Sequence, residues 1–309
     1  MTPDPTHLAL VGPTASGKSG LALQLAAELG DIEIVSIDSM QVYRGMDVGT
    51  AKATTTERAA VAHHMIDVAD PADDFSVARF QAEARTAVAD IQARGLRALL
   101  VGGTGLYVQA VIDDLRFPGE DLALRAELQA GTEEPGGVAR AYAELQQVDP
   151  AAAARIDPHN ARRIVRALEV IRLTGERFSS FGAGIASFGA TAFPVLLTGL
   201  WLPRAVLAHR IDARVDAMRR GGLVDEVRAV RAGSGLARNA RQAIGYREAL
   251  GHLDGTTSLD EAFAMTARRT RSFARRQRMW FRRDPRITWL AAPENPCDVA
   301  GALLALWRR

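Results

Sequence analysis

Hydrophobic positions along the chain follow two periods. His7–Val11 is a short apolar run and Ile32–Ile37 a β-branched one, and both read as buried strands. Arg97–Val101 repeats the pattern, as do Pro194–Trp201 and Ile287–Leu290 late in the chain. Over 17–29 and 76–94 the apolar positions recur at helical spacing instead. Strands alternating with such helices predict an α/β fold, a parallel sheet flanked by helices. The stretch from about 116 to 190 breaks the alternation. It opens after Arg116-Phe117-Pro118-Gly119 and carries helical periodicity over 122–130, 137–147 and 160–174. A Gly/Ser-rich link, Ser179 to Gly189, closes it. The expected organisation is a core of 1–115 and 191–309 with a helical insertion of 116–190.

Composition narrows the class. Of 309 residues, 48% are hydrophobic and 24% charged, enough apolar surface to offset the entropy of ordering. No apolar run approaches the roughly 20 residues that span a bilayer. Met1 to Thr6 is polar and proline-broken, unlike a secretory signal. The one cysteine, Cys297, leaves no disulfide within the chain and no cysteine cluster for a metal; it falls in a Pro-Cys-Asp turn and is expected to be inert. A cytoplasmic setting is expected. His63 and His64, near Asp67, are adjacent and do not share a helix face, so no metal site is expected there.

The net charge of +2 conceals segregation. Residues 1–115 carry 15 acids and 8 bases, while residues 204–289 carry 19 arginines and 9 acids. Concentrated positive charge is the footprint of a polyanion partner. Eight arginines crowd Arg268–Arg283, and no acid occurs between Glu261 and Asp284. On a helical wheel they fill about half the circumference. Thr270, Phe273, Ala274, Gln277, Trp280 and Phe281 fill the other half. With no acid at i,i+4, this face is expected to meet phosphates. Basic residues are arginine everywhere except Lys18 and Lys52.

Lys18 belongs to Gly12-Pro13-Thr14-Ala15-Ser16-Gly17-Lys18-Ser19, which fits G-x-x-x-x-G-K-[ST] between a strand and a helix. The glycines let successive N–H groups converge, and the helix N-terminus adds partial positive charge. Lys18 reaches outer phosphates and the Ser19 hydroxyl suits Mg²⁺. NTP-hydrolysing relatives end a second apolar strand in Asp. Here the candidate strand ends in Gly102-Gly103-Thr104-Gly105-Leu106-Tyr107, without a carboxylate, which counts against a motor or switch ATPase. The carboxylate follows another strand: Asp38 sits after Ile37, and is expected to face the phosphate loop across one strand spacing. Thr104 opens a helix, where capping is the simplest role.

These residues resemble the tRNA dimethylallyltransferase (IPP transferase) family. The likeness runs through Gly12–Ser19, Asp38-Ser39-Met40-Gln41-Val42-Tyr43-Arg44, Met46–Lys52, His63–Asp67 and Gly102–Tyr107. It continues through Arg166–Glu169, Gln242-Ala243-Ile244-Gly245-Tyr246, Arg275-Arg276-Gln277 and Trp280–Arg282. The resemblance implies a P-loop NTPase-like sheet with an inserted helical tRNA-binding domain. It implies dimethylallyl transfer to N6 of the adenosine 3′ of the anticodon, with Mg²⁺ as cofactor and tRNA and dimethylallyl diphosphate as partners. Asp38 would be the general base, Thr104 would touch the reacting region, and Lys18, Ser19 and Arg214 (Arg210 in reserve) would hold diphosphate and metal. Asp38, Ser39, Met40, Gln41, Thr104, Arg125, Arg162, Arg163, Arg166, Gln242, Gly245, Tyr246, Arg275 and Arg276 would meet the tRNA. A monomer without membrane contact is expected.

Three alternatives share part of this evidence. An adenylate isopentenyltransferase would prenylate the free nucleotide. A small-molecule kinase also places an Asp after its second strand, but needs neither the basic third nor the insertion. A non-catalytic RNA-binding protein would have no use for an intact Lys18, Ser19 and Asp38.

Overall fold

The computed structural model describes residues 6–181, 185, 188–292 and 294–308. Met1–Pro5 and part of the Ser179–Gly189 link lie outside the described residues. The chain divides into two compact units, Met1–Ile112 with Thr191–Arg309, and Asp113–Ala190.

The first unit is built on β1 (His7–Val11), β2 (Ile32–Ile37), β3 (His63–His64), β4 (Arg97–Gly102), β5 (Val195–Trp201) and β6 (Thr288–Ala291). All pair in parallel, in the order β3-β2-β4-β1-β5-β6. Helices α1 (Lys18–Leu29), α2 (Thr55–Ala60), α3 (Val77–Ala93) and α4 (Gly105–Ile112) lie among the early strands. A parallel strand covered on both faces needs apolar residues at consecutive positions, and β1 is buried throughout. Its alternate side chains enter different cores. Leu8 and Leu10 join Leu21 and Leu25 of α1, while Ala9 and Val11 join Phe80 of α3. Only β3 has no counterpart in the sequence reading. Two residues show no periodicity, and His63 and His64 form a strand because Ile34 and Val35 pair with them.

One expectation is corrected. β4 lies between β1 and β2, so Asp38 is two strand spacings from the phosphate loop, roughly 9.5 Å, rather than one. The β1–α1–β2 crossover skips a place in the sheet that β4 fills later.

The second unit contains α5 (Leu122–Glu133), α6 (Gly137–Val148), α7 (Pro150–Ala153), α8 (Ala161–Thr174) and α9 (Phe178–Phe181). Leu145, Ile156, Ile164 and Leu168 form its own core. Asp121 and Asn160 cap α5 and α8 by accepting backbone N–H groups. Glu169 is fully buried, and its carboxylate takes Arg125 at 2.8 Å, Arg166 at 3.0 Å and the Asp121 N–H at 3.0 Å. Arg166 also donates to the carbonyls of Pro118 and Gly119. Arg125 and Arg166, expected to meet RNA phosphates, both pair with Glu169, because a buried carboxylate must be paired. Arg162 and Arg163 are exposed.

After the second unit come α10 (Arg204–Arg220), α11 (Leu223–Ala232), α12 (Arg238–Arg241), α13 (Tyr246–Leu253), α14 (Leu259–Phe281) and α15 (Ala300–Trp307). Ser258 and Glu261 close a capping box on α14. Its stripe Phe263, Ala274 and Phe281 packs into the core that holds Val11 and Ile37. Trp280 is half-buried: Arg283 stacks on its ring, and Gly105 lies so close that a Cβ there would collide with it.

Candidate active site

The phosphate loop leaves β1 through Gly12 at φ +151°, passes Ala15 at +61°, and enters α1 through Gly17 at +87°. No side chain caps α1, so the N–H groups of its first turn remain for a ligand. Lys18 is buried, and its ammonium donates to the carbonyls of Gly12 at 2.9 Å and Pro13 at 2.8 Å. Burial, and next the neighbouring Arg214, bring its pKa down to about 7, against an upward pull from Asp38.

The loop forms one wall of a cavity of about 610 Å³. Lys18 and Ser19, Asp38 and Gln41, Thr50 and Lys52, Gly103, Arg210 and Arg214, and Phe273 and Gln277 line it. Ala22, Leu23, Ile34, Ile66 and Val101 supply an apolar side. The tip of β4 separates the Lys18 side from the Asp38 side, and it is glycine. At Gly102 a Cβ would collide with the Ile37 carbonyl, and at Gly103 with the Gln277 amide. The missing acid of the strand tip is therefore a steric requirement of this site.

Asp38 follows β2. Its Oδ1 accepts the N–H of Met40 at 2.8 Å and of Gln41 at 3.3 Å, an Asx turn that fixes the carboxylate. Among the described residues Oδ2 accepts no hydrogen bond. Ser39 and Met40 are half-buried and do not line the cavity, whereas Gln41 does. Thr104 stands beside the wall, not in it; its carbonyl accepts the Tyr107 and Val108 N–H groups and starts α4. Arg210 donates through Nε to the Ala15 carbonyl at 2.9 Å, and Arg214 to the Thr50 carbonyl at 3.0 Å. Burial lowers the pKa of Arg214. Lys52 is buried, bound to the Tyr43 carbonyl, Asp47 and Asp67. His63 lines the cavity with Nδ1 on the Val61 carbonyl, and His64 pairs with Glu33.

Tyr246 needs a correction. It was expected against the tRNA but is wholly buried, and its hydroxyl donates to Glu226. Burial and that carboxylate raise its pKa. Gly245 is buried too, while Gln242 is exposed. The sequence reading missed Glu226, whose carboxylate also accepts the N–H groups of Asp47, Val48 and Gly49 at 2.8, 2.6 and 3.0 Å. It tethers the segment that carries Thr50 to the cavity. For Gln277 the sequence gives a place on the apolar half of a helix and in the Arg275-Arg276-Gln277 run of the resemblance, but no role; a lone amide in that stripe is the available signal.

The arginines of α14 divide. Arg269 pairs with Glu248 of α13 and Arg271 with Asp212 of α10, so acids absent from the segment arrive from other helices. Arg278 stacks over Trp201 at 3.8 Å. Arg275 and Arg276 are exposed and have no ion pair among the described residues.

Sheet order, buried strands and phosphate loop together define a protein of P-loop NTPase-like fold. Residues 41–284 match the family model described as IPP transferase, and residues 6–68 match that of isopentenyl transferase. A tRNA dimethylallyltransferase of Kineococcus radiotolerans is 51% identical, with 98% of this chain and 97% of that protein aligned. The crystal structure of a tRNA isopentenylpyrophosphate transferase from Bacillus halodurans is 40% identical, with a TM-score of 0.70 over 98% of this chain and 97% of that one. A eukaryotic dimethylallyltransferase acting on tRNA superposes at a TM-score of 0.79 with 26% identity, over 98% and 78% of the two chains. The chain belongs to the IPP transferase family.

Proposed function

We propose that the protein transfers the dimethylallyl group of dimethylallyl diphosphate to N6 of the adenosine 3′ of the anticodon in tRNA, releasing diphosphate. The observation that carries this reading is a single cavity with Lys18 and Asp38 on opposite sides of a glycine strand tip. An exocyclic purine amine is a weak nucleophile, so a carboxylate that accepts its proton as the C–N bond forms assists the attack. Asp38 supplies it through Oδ2. The C–O bond to diphosphate breaks in the same reaction, and Lys18, Arg214 and the N–H groups of the first turn of α1 meet the charge that departs. Arg210, which donates through Nε to the Ala15 carbonyl of the phosphate loop, is the second candidate for this task.

The Ser19 hydroxyl, exposed to the cavity, is a hard oxygen donor that fits Mg²⁺. Among the described residues no cluster of three acidic, histidine or cysteine side chains offers a full ligand set. Ser19 is the residue that would hold such an ion. Bound there, it would add positive charge against the leaving group.

A stacked base cannot enter such a cavity, so the adenosine is flipped out at a cost of a few kcal/mol. In the first unit Arg275 and Arg276 offer phosphate contacts to tRNA, and in the second, taken by itself, Arg162 and Arg163 of α8 do so. No described helix is long and apolar enough to cross a membrane. Incubation with labelled dimethylallyl diphosphate and either tRNA or AMP tests the reading. Label on tRNA, dependent on Mg²⁺, supports it; label on AMP alone, or ATP turnover without transfer, refutes it.

A further inference from the structure

We propose that Gln277 is a positioning residue. Its amide ties the first turn of the phosphate loop to the tip of β4, and so sets the spacing between the diphosphate and Asp38. The inference rests on the transfer reaction described above.

Gln277 is 5% exposed and lies on the apolar stripe of α14 between Ala274 and Phe281. Its Oε1 accepts the Thr14 N–H at 2.8 Å, and its Nε2 donates to the Gly103 carbonyl at 2.8 Å. Gly103 is fitted to it, because a Cβ there would stand 2.5 Å from Nε2 and 3.0 Å from the Gly12 carbonyl oxygen. β4 is the strand between β1 and β2. Whatever fixes Gly103 against Thr14 therefore fixes the tip that separates Lys18 from Asp38.

The chemistry is specific to a carboxamide. Thr14 needs an acceptor and Gly103 a donor, and an amide presents one of each on a single planar end. Methionine, of similar size, offers no donor to the buried Gly103 carbonyl and only a weak sulfur acceptor to the part-buried Thr14 N–H. A glutamate carboxylate satisfies Thr14 but sets a second acceptor against the Gly103 carbonyl. Once protonated it carries an O–H and reproduces the amide. A misplacement of about 1 Å in such a site costs on the order of 10²-fold in rate.

The test is turnover on tRNA by Gln277→Met and Gln277→Glu across a pH series, each divided by the parent at the same pH. Gln277→Met is expected to lose about 10- to 100-fold in kcat at every pH, with the tRNA KM little changed. Gln277→Glu is expected to show a similar loss in alkaline buffer, and to recover relative to the parent as acid protonates the new carboxyl. Packing alone does not produce that recovery. Calorimetric titration of inorganic pyrophosphate, each affinity divided by that of the parent at the same pH, should show the same pH-dependent weakening in Gln277→Glu, whatever the acceptor. A Gln277→Met enzyme as active as the parent overturns the role. So does a Gln277→Glu enzyme whose relative activity and pyrophosphate affinity are flat with pH. A parent that binds pyrophosphate but does not prenylate tRNA counts against the reaction, and the pyrophosphate titration then still decides the role of Gln277.

Discussion

The cavity around Lys18 and the outer face of α14 are both cationic, yet they carry charge in opposite ways. In the cavity, Lys18 is buried and held by carbonyls, with Arg214 close enough to depress its pKa. On α14, Arg275 and Arg276 stand in solvent without an ion pair among the described residues. A buried cation is costly unless something of opposite charge completes its surroundings. An exposed one costs little and binds weakly, through counterion release. The first suits one compact polyanion in a fixed pose, the second an extended backbone. The insertion supplies the contrast, since Arg125 and Arg166 are spent on Glu169. Arginine density alone does not say which charges await a ligand.

The largest expected effect lies in the cavity. Asp38→Asn keeps the shape of the turn but removes the base, so turnover should fall by roughly 10²–10⁴-fold while tRNA affinity stays nearly constant. Near-full turnover in single-turnover assays would take the base role from Asp38.

Next comes a proton. With its pKa held near 7, Lys18 is protonated below that pH and increasingly neutral above it. Diphosphate affinity should therefore weaken above about pH 7, by up to roughly tenfold per unit, and binding near or above pH 7 should take up a proton. Calorimetry in buffers of different ionisation heat reads that uptake. The sign for stability is opposite: the unfolded lysine holds its proton up to a pKa of about 10.4, so this residue adds stability as pH rises from 7 toward 10. A pH-independent affinity without proton uptake would erase the contrast with α14.

On α14, Arg275→Ala with Arg276→Ala should raise the tRNA KM several-fold, leave the dimethylallyl diphosphate KM alone, and lower the salt slope by a little under one unit per contact. An unchanged slope would move the grip elsewhere, to the neighbourhood of Arg238–Arg247. The smallest effect on RNA belongs to Arg125→Ala. It should cost about 1–3 kcal/mol in urea unfolding, because Glu169 loses a partner, with no change in the salt slope of tRNA binding.

What could be read from the sequence was local. The phosphate loop is eight consecutive residues between an apolar run and a helical one, so its pattern is written in one stretch of sequence. The parallel strands are legible because burial on both faces leaves an uninterrupted apolar signature. The order of the sheet is not, since the insertion of β4 between β1 and β2 depends on pairing across the chain. The same holds for the supports of the site. Gln277 meets Gly103 and Thr14 across 174 and 263 residues, and Glu226 meets Val48 across 178. Tyr246 resembled a surface contact because its motif carries no sign of the Glu226 that buries it.

The near-exclusive use of arginine has a consequence for spectroscopy. The chain holds two lysines, and both Lys18 and Lys52 line the cavity. Protein enriched in nitrogen-15 at lysine side chains would give two side-chain nitrogen signals, both arising from the walls of one site. Neither would be overlaid by surface resonances, so a titration with each substrate could be followed at the walls of the site without placing a foreign label on the molecule.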